Sequence, residues 1–432
     1  MTFRERRARF AEKIGTGIAI VPAATERTRN ADTHYEFRQD SDFFYLTGFN
    51  EPDAFLIVAP QSTGEQDVLF LRPRDRSKEI WDGKRLGVED APATLGVGAA
   101  YPIDEFDSTL PSLLVGHETL YYALGRDESI DRRVLAALER ARNEVRRGGK
   151  APRQIVEPGT ILHEMRLHKD AAELETMRRA AAITRLGHVA AMEATRAGKR
   201  EYEIEALLEY TYHLNGSQSV AYPSIVAGGD NATILHYSSN RDMLDDGTLV
   251  LVDSAAELDN YASDVTRTWP VSGRFTPEQR SVYEIVLRAQ LAAIEDVRPG
   301  KHFDAYHLTA VRVLCEGLID LGIIKGSVDE AIEKGSYRDF YMHRTGHYIG
   351  IDVHDVGAYR AADDSSRILE PGMVMTVEPG LYFHRDVDCD ARFKGIGVRI
   401  EDDILCSEDG PVNLSSNIPK EIVDIESLVG AR

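Results

Sequence analysis

The chain has 432 residues, of which 43% are hydrophobic, and its formal net charge is −20. A chain of this length exceeds one ordinary hydrophobic core, so we expect two domains. The negative charge repels phosphate backbones and anionic lipid surfaces, which argues against nucleic acid or a membrane as a partner.

The cysteine and terminal sequences point to a reducing compartment. The cysteines are Cys315, Cys389 and Cys406, an odd number without CxxC spacing, so neither a disulfide framework nor a zinc ribbon is expected. The charged first ten residues lack the apolar core of a signal peptide, and no apolar run approaches a membrane span. We expect a cytoplasmic protein.

The first part of the chain alternates strand-like and helix-like segments. Residues 17–21, 54–58 and 67–71 are apolar runs typical of buried strands, and residues 132–140 have helical periodicity. This alternation predicts an α/β domain, to which we assign residues 1–165.

A second domain is expected to follow at residues 166–432. Glycine, proline and charged residues cluster at 146–152 and 157–159, between periodic segments. Asp170 and Glu173 then have the spacing of a capping box, which predicts the start of a long helix.

This second part contains a weak internal repeat. Residues 246–253 (DGTLVLVD) resemble residues 370–378 (EPGMVMTVE), and each is an apolar strand-like run that ends on an acid. In each half a second strand-like run contributes another acid. The four acids are Asp253 and Asp264 in the first half, and Glu378 and Glu401 in the second.

The first pair is expected to meet across a hairpin with its turn at Asp259 and Asn260. Two carboxylates about 4 Å apart repel by roughly 4 kcal/mol at an effective dielectric near 20, so a cluster of four needs cations. Each acid alone has a simpler interpretation, as a solvated strand-end or turn residue. The matching positions of the two pairs favour a metal site.

Histidines lie between the halves. His343, His347 and His354 fall within twelve residues and are interleaved with glycines, which permit close backbone approach. One nitrogen with four carboxylates suits two divalent ions, for which we expect Mn²⁺, with Co²⁺, Zn²⁺ or Fe²⁺ as alternatives. Such a pair of ions can deprotonate a bridging water near neutral pH.

These residues, in this order, resemble the metallopeptidases of the pita-bread fold, and most closely the Xaa-Pro aminopeptidases, also called aminopeptidase P. Residues 35–52 (YEFRQDSDFFYLTGFNEP) resemble the amino-terminal domain of that family. In the second part eight positions fall on the family pattern: His236, Asp253, Asp264, His343, His347, His354, Glu378 and Glu401.

The resemblance implies a fold and an activity. The fold is an α/β N-terminal domain, concerned with access and oligomerisation, followed by an α+β pita-bread (creatinase/aminopeptidase) domain with an internal pseudo-twofold repeat. The activity is metal-dependent hydrolysis of the bond before a proline at the second position of a peptide, in a dimer or tetramer. A prolidase, which cleaves only dipeptides, and a non-catalytic binding protein on the same fold are the alternatives.

The resemblance also implies a metal ligand set. Asp253 and Asp264 would hold one ion, His347 and Glu378 would hold the other, and Asp264 and Glu401 would bridge the two. Glu378 would also act as the general base.

Other residues would surround the substrate. His343 and His354 would steady the substrate carbonyl and the tetrahedral intermediate, and His236 would line the pocket near the proline ring. Arg399 would pair with a ligand or relay a proton.

Three aromatic residues match family positions near the site: Tyr222, Tyr382 and Trp81, the last of which a neighbouring subunit can contribute. Ordinary core packing is the alternative for each. The chain departs from the family at residues 253–255 (DSA), where Asp-Ala-Gly is more usual. We expect no loss of metal from this departure, but a change in substrate fit.

Overall fold

The computed structural model describes residues 1–59, 66–146 and 148–430, and the chain divides into two compact units, Met1–Arg166 and Leu167–Arg432. The stretches at 146–152 and 157–159 flank a strand within the first unit, and Arg147 lies outside the described residues.

The helices and strands of the N-terminal unit alternate along the chain. The helices are α1 (Phe3–Ile14), α2 (Ser41–Thr47), α3 (Arg76–Asp82), α4 (Gly87–Leu95), α5 (Phe106–Leu114), α6 (Glu128–Glu144) and α7 (Gly159–Leu167). The strands are β1 (Ile18–Pro22), β2 (Thr28–Asn30), β3 (Thr33–His34), β4 (Phe55–Val58), β5 (Asp67–Leu71), β6 (Ala99–Pro102), β7 (Thr119–Tyr121) and β8 (Gln154–Val156).

A mixed six-stranded sheet in the order β6-β5-β4-β1-β7-β8 forms the centre of this unit. The pairs β1–β4 and β4–β5 are antiparallel, and β5–β6, β1–β7 and β7–β8 are parallel. The predicted strands are confirmed as β1, β4 and β5, and the predicted helix lies within α6. Alternate apolar side chains of β1 and β4 pack with those of α5 and α6 in one buried cluster. The side chains on the other face of these two strands are buried as well, so both strands are apolar throughout.

The C-terminal unit has longer helices and shorter sheets. Its helices are α8 (Ala171–Ala194), α9 (Glu201–Leu214), α10 (Pro277–Ile294), α11 (Phe303–Asp320), α12 (Val328–Lys334) and α13 (Ile422–Leu428). Its strands are β9 (Ser219–Val220), β10 (Ile225–Gly228), β11 (Leu249–Asp253), β12 (Ala256–Leu258), β13 (Tyr261–Ala262), β14 (Thr266–Pro270), β15 (Val374–Val377), β16 (Gly380–Tyr382), β17 (Gly397–Arg399), β18 (Asp402–Ser407) and β19 (Gly410–Asn413).

The repeat predicted from the sequence corresponds to two similar halves. The first half combines α8 and α9 with the antiparallel sheet β10-β11-β14, and the second combines α10 and α11 with the antiparallel sheet β15-β18-β19. The predicted capping box is present, because the Asp170 side chain accepts from the Glu173 amide and the Glu173 side chain accepts from the Asp170 amide.

The hairpin at the first acid pair differs in detail from the prediction. Asp259 and Asn260 do form the turn, with φ of 49° and 64°, but it joins β12 to β13. The strand that pairs with β11 is β14, and Asp253 is in register with Thr266. The β12–β13 hairpin therefore lies between β11 and β14 along the chain only. It belongs to a separate sheet, in which β12 pairs with β9.

Candidate active site

A cavity of about 870 Å³ lies in the C-terminal unit. Its lining contains most of the residues singled out from the sequence: Tyr222, His236, Asp253, Asp264, His343, His347, His354, Glu378, Arg399 and Glu401. Apolar residues, among them Leu235, Phe303 and Tyr359, line other parts of the same cavity. The two halves therefore contribute to one site.

The first acid pair stands at the ends of neighbouring strands. Asp253 is the last residue of β11, where Tyr222 donates a hydrogen bond of 2.6 Å to Oδ1 and Arg399 Nη2 donates one of 2.7 Å to Oδ2. Burial, with a further contribution from the charge of Asp264, raises the pKa of Asp253 although Arg399 opposes the change. An added cation would relieve this repulsion.

The second acid pair meets the first where the halves join. The Glu401 amide donates to the Thr266 carbonyl at 3.1 Å, and the Thr266 hydroxyl donates to Glu401 Oε2 at 2.6 Å. Burial raises the pKa of Glu378 to about 7 and that of Glu401 well above its usual range. These carboxyl groups are buried together at a cost that bound cations would offset.

Two threonines that the sequence analysis missed form hydrogen bonds with the predicted site residues. Thr266 bonds Glu401 and also accepts from Arg399 Nε at 3.0 Å. Thr376 accepts from the His347 amide at 3.1 Å and donates to Glu378 Oε1 at 3.3 Å. Each threonine lies two residues from a predicted ligand, so the two-residue period of a strand was a usable signal.

His347 is oriented as a ligand would be. Its Nδ1 lies 2.9 Å from the Tyr348 carbonyl, which requires a proton on Nδ1 and turns Nε2 toward the acids. Nε2 is 3.4 Å from Asp264 Oδ2 and 3.7 Å from Glu378 Oε1. Burial opposes charge on this ring, but the hydrogen bond to Asp264 and the charge of Glu378 raise the pKa of His347 to about 9.

Donor atoms of Asp264, His347 and Glu401 lie within 4.8 Å of one another, close enough to share an ion. Gly346, which precedes His347, permits this arrangement because it has no side chain. A Cβ at this position would lie 1.9 Å from the Thr376 carbonyl oxygen and would clash with it. One imidazole nitrogen and four carboxylates, with the guanidinium of Arg399 bonded to Asp253, leave an excess of negative charge that fits two divalent ions.

His343 belongs to a hydrogen-bonded chain that ends on Asp253. Arg399 Nη1 donates to the Tyr382 hydroxyl at 3.1 Å, and that hydroxyl lies 2.8 Å from His343 Nε2. His343 Nδ1 is 2.7 Å from the Arg344 carbonyl, so the neutral ring donates through Nδ1 and accepts through Nε2. Burial and the charge of Arg399 lower the pKa of His343 to about 3. Tyr382 is buried and reaches the site through these bonds without lining the cavity.

His354 and His236 stand on other walls of the cavity. The rings of His354 and His347 are in edge contact, with centroids 4.3 Å apart and an interplanar angle of 80°. Burial lowers the pKa of His354, which favours the neutral ring. His236 lies on the loop that follows β10.

The structure bears on two further expectations. Trp81 is on α3 of the N-terminal unit, does not line this cavity and is 85% exposed, so core packing is the wrong interpretation of that residue. The Ser254 hydroxyl lies 2.8 Å from Ser224 Oγ and 3.1 Å from the Tyr212 hydroxyl, in the core behind Asp253. The larger side chain at 254 therefore fills the interior, and neither Ser254 nor Ala255 lines the cavity. The expected change in substrate fit stays a prediction.

Comparison with known proteins identifies the family. Residues 175–408 match the model of "Metallopeptidase family M24", and residues 3–121 match "Aminopeptidase P, N-terminal domain". The chain is 46% identical to the Xaa-Pro aminopeptidase of Haemophilus influenzae, with 99% of this chain and 96% of that protein aligned.

Solved structures of aminopeptidases are also similar to this chain. The aminopeptidase PepP of Pseudomonas aeruginosa superposes with a TM-score of 0.97 at 44% identity, covering 99% of this chain and 97% of the other. Zinc-substituted Escherichia coli aminopeptidase P in complex with product superposes with a TM-score of 0.96 at 43% identity, covering 100% and 98%.

The fold is thus the predicted one, an α/β N-terminal domain followed by a pita-bread metallopeptidase domain. The chain belongs to metallopeptidase family M24 and, within it, to the Xaa-Pro aminopeptidases.

None of the helices within residues 1–59, 66–146 and 148–430 combines the length and the apolar character needed to cross a bilayer.

Proposed function

We propose that this chain hydrolyses the bond between the first residue of a peptide and a proline at the second position. The observation that supports this most is the convergence of the four predicted acids and four histidines, drawn from both halves, on one cavity. Family membership supports the same activity.

The proposed ligands are Asp253, Asp264, His347, Glu378 and Glu401. Asp264 and Glu401 are the proposed bridging pair, and their donor atoms, together with that of His347, lie within 4.8 Å of one another. We propose two Mn²⁺ ions, since carboxylate-rich sites favour hard cations. Bound ions of this kind supply Lewis acidity and a water of lowered pKa.

The surrounding side chains have separate proposed roles. Glu378 would take a proton from water as the general base. His354 would donate a hydrogen bond to the substrate carbonyl and to the tetrahedral oxygen that forms from it. His343 would steady the same groups by its position, because its ring nitrogens already bond the Arg344 carbonyl and the Tyr382 hydroxyl. Arg399 would hold Asp253 in place, and it also bonds the Tyr382 hydroxyl, which lies beside His343 Nε2.

Proline specificity requires recognition by shape, because the bond before proline offers no N–H. Tyr222, Leu235 and His236 form walls of the cavity that suit an apolar ring. At about 870 Å³ the cavity is near the upper end of the range for ligand pockets, roughly 300–1,000 Å³. That size favours a peptide that continues past proline over a dipeptide alone.

The test is hydrolysis of matched Xaa-Pro and Xaa-Pro-Yaa peptides by the protein loaded with Mn²⁺. We expect release of the first residue from the tripeptide. Cleavage of the dipeptide alone would identify a prolidase instead. Elemental analysis after Mn²⁺ loading tests the third possibility, because a non-catalytic binding protein would retain no stoichiometric metal.

The N-terminal unit, residues 1–165 in the proposed division, is assigned to substrate access and oligomerisation. An exposed Trp81 on α3, a helix with no buried residue, supports a contact with a second copy of the chain. We expect a dimer or tetramer by light scattering, and dissociation of that species in Trp81→Ala. Free cysteines at 315, 389 and 406 support a reducing location such as the cytoplasm.

A further inference from the structure

A buried carboxylate outside the metal site accepts several hydrogen bonds from the loop that carries His236. Glu201, the first residue of α9, is fully buried. Its Oε1 accepts from the Gly228 amide at 2.8 Å and from Asn231 Nδ2 at 3.0 Å. Its Oε2 accepts from the Tyr237 hydroxyl at 2.7 Å and from the Asp242 amide at 2.8 Å.

All four donors are neutral, and all belong to one segment, residues 228–242. The Asp242 carbonyl also accepts from the Glu201 amide at 3.0 Å, so the start of α9 holds the end of the segment through both backbone and side chain. Buried carboxylates are expensive unless their oxygens are bonded, and here each oxygen has two donors. One side chain therefore fixes both ends of the segment.

The residues between these anchors face the substrate cavity. Leu235, His236 and Ser238 line it, and Tyr237, which bonds Glu201, stands among them. On the opposite side the segment rests on β17, where a Cβ on Gly397 would lie 2.2 Å from the Ala232 carbonyl oxygen. The position of the cavity wall is set by contacts on both sides of the segment.

We propose that Glu201 is a positioning residue for substrate binding, which acts through Tyr237 to hold the wall formed by Leu235 and His236. This inference rests on the proposed function, because that wall is assigned to the proline ring. Neither Glu201 nor Tyr237 lines the cavity, so their influence on substrate is indirect.

Two variants test this role. Glu201→Gln keeps the volume but places an NH₂ group against donors, and Tyr237→Phe removes only the hydroxyl. We expect each to raise KM for an Xaa-Pro-Yaa peptide about tenfold, the factor of one displaced hydrogen bond, with kcat within about twofold and metal content unchanged. Tyr122→Phe is the matched control, because its hydroxyl bonds Asp131 at 2.7 Å in the N-terminal unit; it should leave KM unchanged.

A double-mutant cycle separates positioning from a general loss of stability. If Tyr237 acts through the wall, Tyr237→Phe should add little to the KM of His236→Ala, whereas a purely structural effect would be the same in both backgrounds. Additive effects, or wild-type KM in both single variants, would overturn the proposal.

Hydrogen exchange gives a readout independent of turnover. In Glu201→Gln the amides of residues 228–242 should exchange faster, while those of β11 keep wild-type protection. Unchanged exchange throughout 228–242 would overturn the positioning role even in an active enzyme. Absence of Xaa-Pro-Yaa hydrolysis by the wild-type protein, with the exchange result intact, would instead overturn the proposed function.

Discussion

Replacing Arg399 with methionine should destabilise the metal-free protein much more than the metal-loaded protein. The guanidinium donates to Asp253, Thr266 and Tyr382 from a side chain that is 5% exposed. Methionine keeps an unbranched apolar stem but removes the cation that faces the acid cluster.

The expected loss in free energy of unfolding follows from the geometry. Breaking a buried ion pair by removing one partner costs about 3–5 kcal/mol. The repulsion that Arg399 moderates has the same scale, because donor atoms of Asp264 and Glu401 lie within 4.8 Å. Two unit charges at that distance repel by about 3 kcal/mol at an effective dielectric near 20. Bound divalent ions neutralise the same acids, so loading should recover at least half of the loss.

Urea unfolding in the presence of a chelator, and again with excess Mn²⁺, measures both quantities. Arg267→Met is the control, because Arg267 is also buried and pairs with Asp402 at 2.7 Å but does not line the cavity. It should lose about the same free energy of unfolding in both conditions. Equal losses with and without Mn²⁺ for Arg399→Met would refute the electrostatic argument.

Further outcomes are expected at other positions. Chelation should abolish peptide hydrolysis and Mn²⁺ should restore it; activity that persists at undetectable metal would contradict the ligand set. Glu378→Ala should abolish measurable turnover, since general base catalysis contributes about 10²–10⁴-fold and the same side chain is a proposed ligand. His354→Ala should lower kcat about 10²-fold while elemental analysis finds wild-type metal, and an unchanged kcat would remove His354 from the mechanism. In the N-terminal unit, burial opposes ionisation of Asp42, but hydrogen bonding to His163 and the charge of Arg166 outweigh it and lower the pKa of Asp42 to about 2. Because the folded pKa lies below the ordinary 3.8, this group stabilises the fold above pH 4 by about 2 kcal/mol and loses that contribution between about pH 4 and pH 2; acid unfolding curves of Arg166→Met should be flatter over that interval.

Much of the candidate site could be predicted because its acids carry a local signature. An apolar run that ends on an acid is unusual, since a buried charge needs a partner, and the signature occurs at both Asp253 and Glu378. The structure brings these residues into one cavity with Asp264 and Glu401. Strand periodicity could also have indicated Thr266 and Thr376, which share a face with neighbouring acids.

Contacts between the halves could not be predicted in this way. Arg399 reaches Asp253 because the Arg399 amide donates to Thr268 Oγ1 at 3.2 Å and Thr268 Oγ1 donates to the Arg399 carbonyl at 3.0 Å. That pairing joins segments 131 residues apart, and nothing in either segment alone specifies it. The contacts of Glu201 could not be predicted either, because an acid in the first turn of a helix is ordinarily explained by the helix dipole.

The register of the first acid pair was also beyond local reasoning. The turn at Asp259 and Asn260 was predictable from residues that tolerate positive φ. Which strands it would join was not, because β12 and β13 form their own small hairpin between β11 and β14. Tertiary pairing, which depends on the distant β9, decided the outcome.

The division of the acids between two halves has a consequence for synthesis of the protein. Of the five proposed ligands, the ribosome adds Asp253 first and Glu401 last. A nascent or prematurely terminated chain that stops before residue 401 therefore lacks part of the ligand set. We expect such fragments to be inert toward cellular peptides, and a peptidase assembled in this order gains hydrolytic power only after Glu401 has been synthesised.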